Sequence, residues 1–133
     1  MDAAEIAALL TALGYPAQPL EVRRRLALLE ESDAVLLTVG GMVALHRIPL
    51  LAEGGAIARI TALVVAPDCR GAGIGRGLLA AAEQVARGWG CDLVEVSSGR
   101  RQERESAHRF YRAAGFEDTA TRSTRYWKRL ALA

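Results

Sequence analysis

The sequence predicts a layered α/β domain built around one mixed sheet. Two observations carry that reading. The hydrophobic period switches repeatedly between helical and strand-like, in the order ααβββαβαββ. One segment, Ala56–Ala66, is long and apolar (Ile57, Ile60, Leu63, Val64, Val65), as expected of a strand buried on both faces. The arithmetic agrees: 133 residues suit a single domain, 1–133, and 51% hydrophobic against 24% charged residues suits a packed core, not a disordered chain. Folding a chain of this size buries about two-thirds of its unfolded surface. A core can therefore form without metals or disulfides.

Asp2 is placed to cap a first helix, with Glu5 in its first turn. Ile6, Leu9, Leu10 and Leu13 recur on one face, and Gly14 ends the pattern. Tyr15-Pro16-Ala17-Gln18-Pro19 reads as a loop. A second helix is expected over Leu20–Glu30, with Val22, Leu26 and Leu29 on one side. Ala34–Val39 and Met42–Ile48 read as strands joined by a tight turn at Gly40-Gly41, the second ending near Pro49. A loop through Glu53-Gly54-Gly55 leads to Ala56–Ala66, which Pro67 stops.

Arg70-Gly71-Ala72-Gly73-Ile74-Gly75 is a Gly-rich turn opening a helix to about Arg87, with Leu78, Leu79, Ala82, Val85 and Ala86 at helical spacing. Asp92–Ser98 is the next strand, and Gly99–Glu103 a polar loop. A helix follows to Ala114, with Gly115 as its stop. Phe116–Thr121 and Ser123–Leu130 read as a closing hairpin. There is no internal repeat, linker or low-complexity segment.

Several function classes are disfavoured at once. A net charge of +2 creates no global field for nucleic acid or membrane. Arg23-Arg24-Arg25 reads as a solvated helix face, since no aromatics interleave. Cys69 and Cys91 are too few for a disulfide scaffold and lack metal-ligand spacing, so no metal is expected. No apolar run could cross a bilayer, and no basic start precedes an apolar stretch. A cytoplasmic protein is the expectation.

The informative unit is strand, Gly-rich turn and helix over Ile57–Arg87. Gly71, Gly73 and Gly75 permit positive φ and close approach by a ligand. The first turn of the helix leaves several N–H groups unpaired, which with the helix dipole makes an anion site suited to phosphate or pyrophosphate. Arg70 and Arg76 bracket the turn and can add charge-assisted bonds. The turn lacks the Lys and hydroxyl of a P-loop. It also misses a dinucleotide fingerprint in both registers, where Arg76 or Leu78 replaces the third glycine.

A second unit follows: Arg104-x-x-Ala107-His108-x-Phe110-Tyr111, then Gly115-Phe116. With both units in this order, the chain resembles the GNAT superfamily of acetyl-CoA-dependent N-acetyltransferases. The resemblance runs over nearly the whole chain. It takes in Leu13-Gly14-Tyr15-Pro16, Ala58-Arg59-Ile60-Thr61-Ala62-Leu63-Val64-Val65, Glu95-Val96-Ser97-Ser98 and Arg125-Tyr126-Trp127-Lys128. It implies a GNAT-like, mostly antiparallel sheet flanked by helices. It also implies that Arg70, Gly71, Ala72, Gly73, Ile74, Gly75 and Arg76, with Arg104, hold the CoA pyrophosphate. The strand Leu63, Val64 and Val65 then pairs with the pantetheine arm and polarises the thioester carbonyl through a backbone N–H. Tyr111 contacts the cofactor and protonates the departing thiolate as general acid. The chemistry is coherent, since thiols titrate near 8.5 and phenols near 10. An amine attacks the thioester directly, and the acceptor is a small molecule or peptide.

Two departures from the family stand out. Some members carry a catalytic Glu four residues before the position of Leu63, where this chain has Arg59. Glu95, Glu53, His46 and His108 are replacements by residue type only, and His46 and His108 read more readily as structural or surface histidines. Arg59 could meet a substrate carboxylate or pair with an acid across the sheet. The family's first edge strand is also missing, or the true start lies upstream of Met1. A missing strand would expose the Ala34–Val39 edge as a possible homodimer surface. The acceptor pocket is expected around Tyr15, His46, Arg59, Glu95 and the hairpin near Tyr126 and Trp127. The alternative to an enzyme is a non-catalytic acyl-CoA-binding sensor or interaction module.

Overall fold

The computed structural model describes residues 2–97, 105–119, 126 and 128–130. The chain divides into two compact units, Met1–Ser97 and Ser98–Ala133. The first opens with helices α1 (Ala3–Leu13) and α2 (Pro19–Ala27). Asp2 caps α1 as expected: its Oδ1 accepts from the N–H groups of Ala4 and Glu5 at 3.0 and 3.1 Å. Gly14, with φ of 106°, closes the helix.

Helix α2 is shorter than the periodicity predicts. The N–H groups of Leu28 and Leu29 reach back only three residues, to the carbonyls of Arg25 and Leu26 at 3.1 and 3.2 Å. The N–H of Glu30 then donates to Asp33 Oδ2 at 3.0 Å. This local competition unwinds the last turn. Leu29, expected on the buried side, is 42% exposed.

Strands β1 (Asp33–Thr38), β2 (Gly41–Pro49), β3 (Ala56–Val65) and β4 (Leu93–Val96) form one sheet in that spatial order. The first three are antiparallel, and β4 runs parallel to β3. A parallel step needs a crossover. The turn at Pro67–Cys69 and helix α3 (Ile74–Gly88) supply it. The result is the mixed, mostly antiparallel sheet with flanking helices that the sequence implies.

Helices cover the sheet on both sides. Ile6, Leu9 and Val22 of α1 and α2 share a buried cluster with Met42 of β2 and Val64 of β3. Val43 and Leu45 alternate to the opposite face and are fully buried there. Helix α3 packs on β2 and β3 through Leu78, Leu79, Ala82 and Ala86. Each such aliphatic side chain contributes about 1.5–3 kcal/mol of apolar burial.

The second unit contains α4 (Glu105–Ala113), which ends at Gly115 with φ of 94°. Residues 116–119, 126 and 128–130 of the expected closing hairpin are not strand. The rest of that hairpin, Trp127 included, lies outside the described residues, as do Ser98, the loop Gly99–Glu103 and Arg104.

Candidate active site

Strand β3 changes character halfway along. Ile57–Ile60 pair with Leu93–Val96 of β4, and the pairing stops there. At the same point the register against β2 slips: Leu45 faces Ile60, but Ala44 faces Ala62. Thr61 is therefore the extra residue of a bulge, and its Oγ1 donates to the Ala44 carbonyl at 3.3 Å. Among the described residues, nothing pairs with Thr61–Val65 on the β4 side.

The direction of the free backbone groups follows from alternation. Ala66 N–H donates to the Gly40 carbonyl at 2.7 Å, on the β2 side. In an antiparallel ladder, successive residues point their N–H and C=O to opposite sides. Val64 thus shares the side of Ala66. Leu63 and Val65 turn their N–H and C=O groups outward, away from β2.

This open edge leads directly into the Gly-rich turn. Gly71 and Gly73 adopt φ of 86° and 80°, which L side chains rarely tolerate. A Cβ at either position would meet nothing within 4 Å. Gly75 differs from the sequence expectation in needing no positive φ, because it already lies in the first turn of α3. Gly73 is the N-cap, no side chain caps the helix, and its first turn holds no acid. The first α-helical bond there runs from Gly77 N–H to the Gly73 carbonyl at 3.0 Å. The N–H groups of Ile74, Gly75 and Arg76 are thus left to an external partner. Arg70 and Arg76 are exposed beside them.

Three predicted acceptor-site residues come together. His46, Arg59 and Glu95 stand in one register row across β2, β3 and β4. Arg59 Nε donates to Glu95 Oε1 at 2.7 Å, so the cross-sheet pairing anticipated for Arg59 is what forms. His46 Nδ1 lies 2.6 Å from Asp33 Oδ1 on the edge strand. Asp33 is held below the usual carboxylate range, chiefly by the Glu30 N–H and also by His46, against a burial that acts the other way. Tyr15 is 61% exposed in the loop after α1, and Glu53 is exposed in the β2–β3 loop.

Tyr111 belongs to α4. Its ring meets those of Phe110 and Phe116 edge to face, with centroids 5.5 and 5.7 Å away. It is half-buried, as is His108 one turn earlier. Such edge-to-face aromatic pairs add about 0.5–1.5 kcal/mol beyond area burial and fix the ring's orientation.

Sequence reasoning missed three contributors. Asp33 joins the row only through pairing with β2. Thr61 sets the bulge, which no local signal marks. Gly41 reads as a turn glycine, yet a Cβ there would come within 2.9 Å of Ile74, Leu78 and the Val64 carbonyl. It lets the start of α3 sit against the sheet, where it presents its N–H groups. Cys69 is no activated nucleophile: burial, with Asp68 adding to it, raises its thiol above the usual value.

The model of the Acetyltransferase (GNAT) family matches residues 14–116, across the sheet, the turn and α4. The chain belongs to that family, whose members generally use acetyl-CoA. Aminoalkylphosphonate N-acetyltransferase of Salmonella typhimurium is 41% identical over 87 residues, covering 65% of this chain and 55% of that protein. Aminoglycoside N(6')-acetyltransferase type 1 of Stenotrophomonas maltophilia is 46% identical over 55 residues, covering 41% and 35%. The chain thus spans about half, or less, of the length of these curated relatives. A GNAT family acetyltransferase of Staphylococcus aureus has the same fold, with a TM-score of 0.77 at 21% identity over 95% of this chain and 87% of that one. No described helix is long and apolar enough to cross a membrane.

Proposed function

We propose that this protein is an N-acetyltransferase that moves acetyl from acetyl-CoA to an amine. The observation that carries the reading lies on β3. An outward-facing backbone edge at Leu63 and Val65 runs into a turn of open glycines, uncapped helix N–H groups and two exposed arginines. That arrangement fits the donor. The edge can take the pantetheine arm as an added strand. The N–H groups of Ile74, Gly75 and Arg76, with Arg70 and Arg76, suit its pyrophosphate. When bound, acetyl-CoA supplies the activated thioester.

The chain's own groups do the rest. An outward N–H at Leu63 or Val65 is a fixed dipole able to stabilise charge developing on a carbonyl oxygen. Tyr111 acts as the general acid of the departing thiolate, a role that the family resemblance implies and its phenol suits. The amine names of both curated relatives support an amine acceptor. Two free cysteines and acetyl-CoA use favour a cytoplasmic setting.

Calorimetric titration with acetyl-CoA, against NAD and ATP, tests the donor site. Selective binding at one per chain is expected, and a folded protein that ignores acetyl-CoA would sink the reading. Tyr111→Phe should lower kcat about 100-fold with acetyl-CoA affinity unchanged; an unaltered kcat removes Tyr111 from the chemistry. One observation favours the non-catalytic alternative: Arg59 occupies the position where some family members carry a catalytic Glu, and it is tied to Glu95. Turnover on a broad amine panel separates enzyme from sensor.

A further inference from the structure

The sheet gathers two acids, an arginine and a histidine into a single row. In Cα register, Asp33 of β1 faces His46 of β2, His46 faces Arg59 of β3, and Arg59 faces Glu95 of β4. Residues directly opposite share a face, with Cβ atoms about 4.5–5.5 Å apart. Met42, Ala44 and His46 alternate onto one face, which α1 and α2 cover at the Met42 end. At the row itself the cover is incomplete: the side chains of His46 and Arg59 are 43% and 39% exposed.

The order of charges has a consequence for ligands. Acids hold the two ends, bases the middle, and each acid anchors the base beside it. Asp33 uses Oδ2 on the Glu30 N–H and Oδ1 on His46 Nδ1. Glu95 takes Arg59 through Nε at 2.7 Å. A guanidinium gripped at Nε keeps its two Nη groups as a planar fork, and these donate to no other described residue. His46 lies beside it, with Nε2 lacking a partner among the described residues. The donor that the middle of the row offers is thus the oriented, half-exposed guanidinium fork of Arg59. Such a fork matches a carboxylate, phosphate or phosphonate bidentately.

The row also sits close to the place where transfer would occur. Ile60 and Val96 are the last pair before β3 and β4 part, and Arg59 and Glu95 are the pair before them. Arg59 lies four positions from Leu63, about 13 Å of extended strand. Arg59 is tied across to Glu95, and a short amine held at its fork would reach back toward Leu63.

We propose that Arg59, positioned by Glu95 and flanked by His46, recognises the acceptor. The acceptor is then a small primary amine carrying an oxyanion two or three carbons from its nitrogen. This rests on the acetyltransferase reading, because it places the row in the acceptor half of that site. Glu95 is a positioning residue here, not a proton acceptor.

The test titrates the CoA-saturated protein with 2-aminoethylphosphonate and with n-propylamine, after CoA binding has been measured alone. The phosphonate should bind at least tenfold more tightly. Arg59→Gln should abolish that preference and leave CoA affinity and the circular dichroism spectrum unchanged. Arg59→Lys should restore it in part, since charge without a fork gives one contact instead of two. Glu95→Gln should weaken phosphonate binding threefold or more without moving propylamine, whereas a merely structural role would shift both. Equal affinity for the two amines, binding of neither, or a preference that survives in Arg59→Gln overturns the assignment, and the wild-type comparison holds whether or not the variants fold. If CoA itself does not bind, the acetyltransferase reading fails and takes this inference with it. If CoA binds and the preference is absent, only the inference fails.

Discussion

A Cβ added at Gly41 would meet Ile74, Leu78 and the Val64 carbonyl at 2.9 Å each, and one at Gly40 would meet Cys69 Sγ at 2.7 Å. One added at Gly71 or Gly73 would meet nothing within 4 Å. These two glycine turns flank the start of the same helix, α3. The first is crowded by the protein's own atoms, and its Gly40 also holds φ of 82°. The second is glycine because of its backbone angles, and it faces open space. A crowded glycine belongs to the architecture. An open one beside uncapped N–H groups leaves room for a ligand's phosphate. Two Gly-rich stretches that look alike in sequence thus divide between a packed turn and an open one.

The largest expected effect breaks the architectural turn. Gly41→Val forces either α3 or the Val64 carbonyl to move, a strain of about 1–3 kcal/mol or more. Thermal unfolding should fall by roughly 5–15 °C, with CoA binding lost as the helix start shifts. A stable Gly41→Val protein with full binding would remove the distinction between the turns. Next comes Gly73→Glu. Bulk and negative charge would stand where phosphate is expected, so acetyl-CoA affinity should drop at least tenfold. Gly73→Ala is its control: it carries the same φ strain, about 1 kcal/mol, without the charge. If both variants lose affinity equally, backbone geometry and not open space explains the glycine.

The smallest effect sharpens the contrast from the far end of β1. Asp33 is depressed below its ordinary value of 3.8, chiefly by the Glu30 N–H. A carboxyl lowered in the folded state stabilises fully above its unfolded value and loses that contribution as pH falls through the folded one. Unfolding midpoints of Asp33→Asn against the parent should differ by about 1 kcal/mol at pH 7. The gap should narrow below about pH 4 as the parent's carboxylate protonates. A constant gap down to pH 2 would mean that the carboxylate charge contributes nothing. Acetyl-CoA affinity should not change, because Asp33 lies well away from both turns along the strands.

Much of the fold was legible because its signals are local. The Asp2 cap, the Gly14 stop, the apolar run of β3 and the amphipathic α3 each need only neighbouring residues to act. The end of α2 was not legible, because Asp33 takes the Glu30 N–H from beyond the helical pattern. The candidate donor site could be read as a motif, since turn and helix start are contiguous. The candidate acceptor row could not. His46, Arg59 and Glu95 were recognisable only as residue types, and Asp33 gave no sign at all.

By itself, the sequence determined the element order as far as α4, the Gly-rich character of the Arg70–Arg76 turn and membership in a family whose motifs it carries in order. Tertiary structure alone decided which side of β3 is left open and which charges meet across the sheet. The physical reason is register. A single bulge at Thr61 changes which residues of β3 and β2 stand opposite each other, and strand pairing sets Asp33, His46, Arg59 and Glu95 in one row. Those partners lie up to 62 positions apart along the chain, from Asp33 to Glu95, where no local pattern reaches.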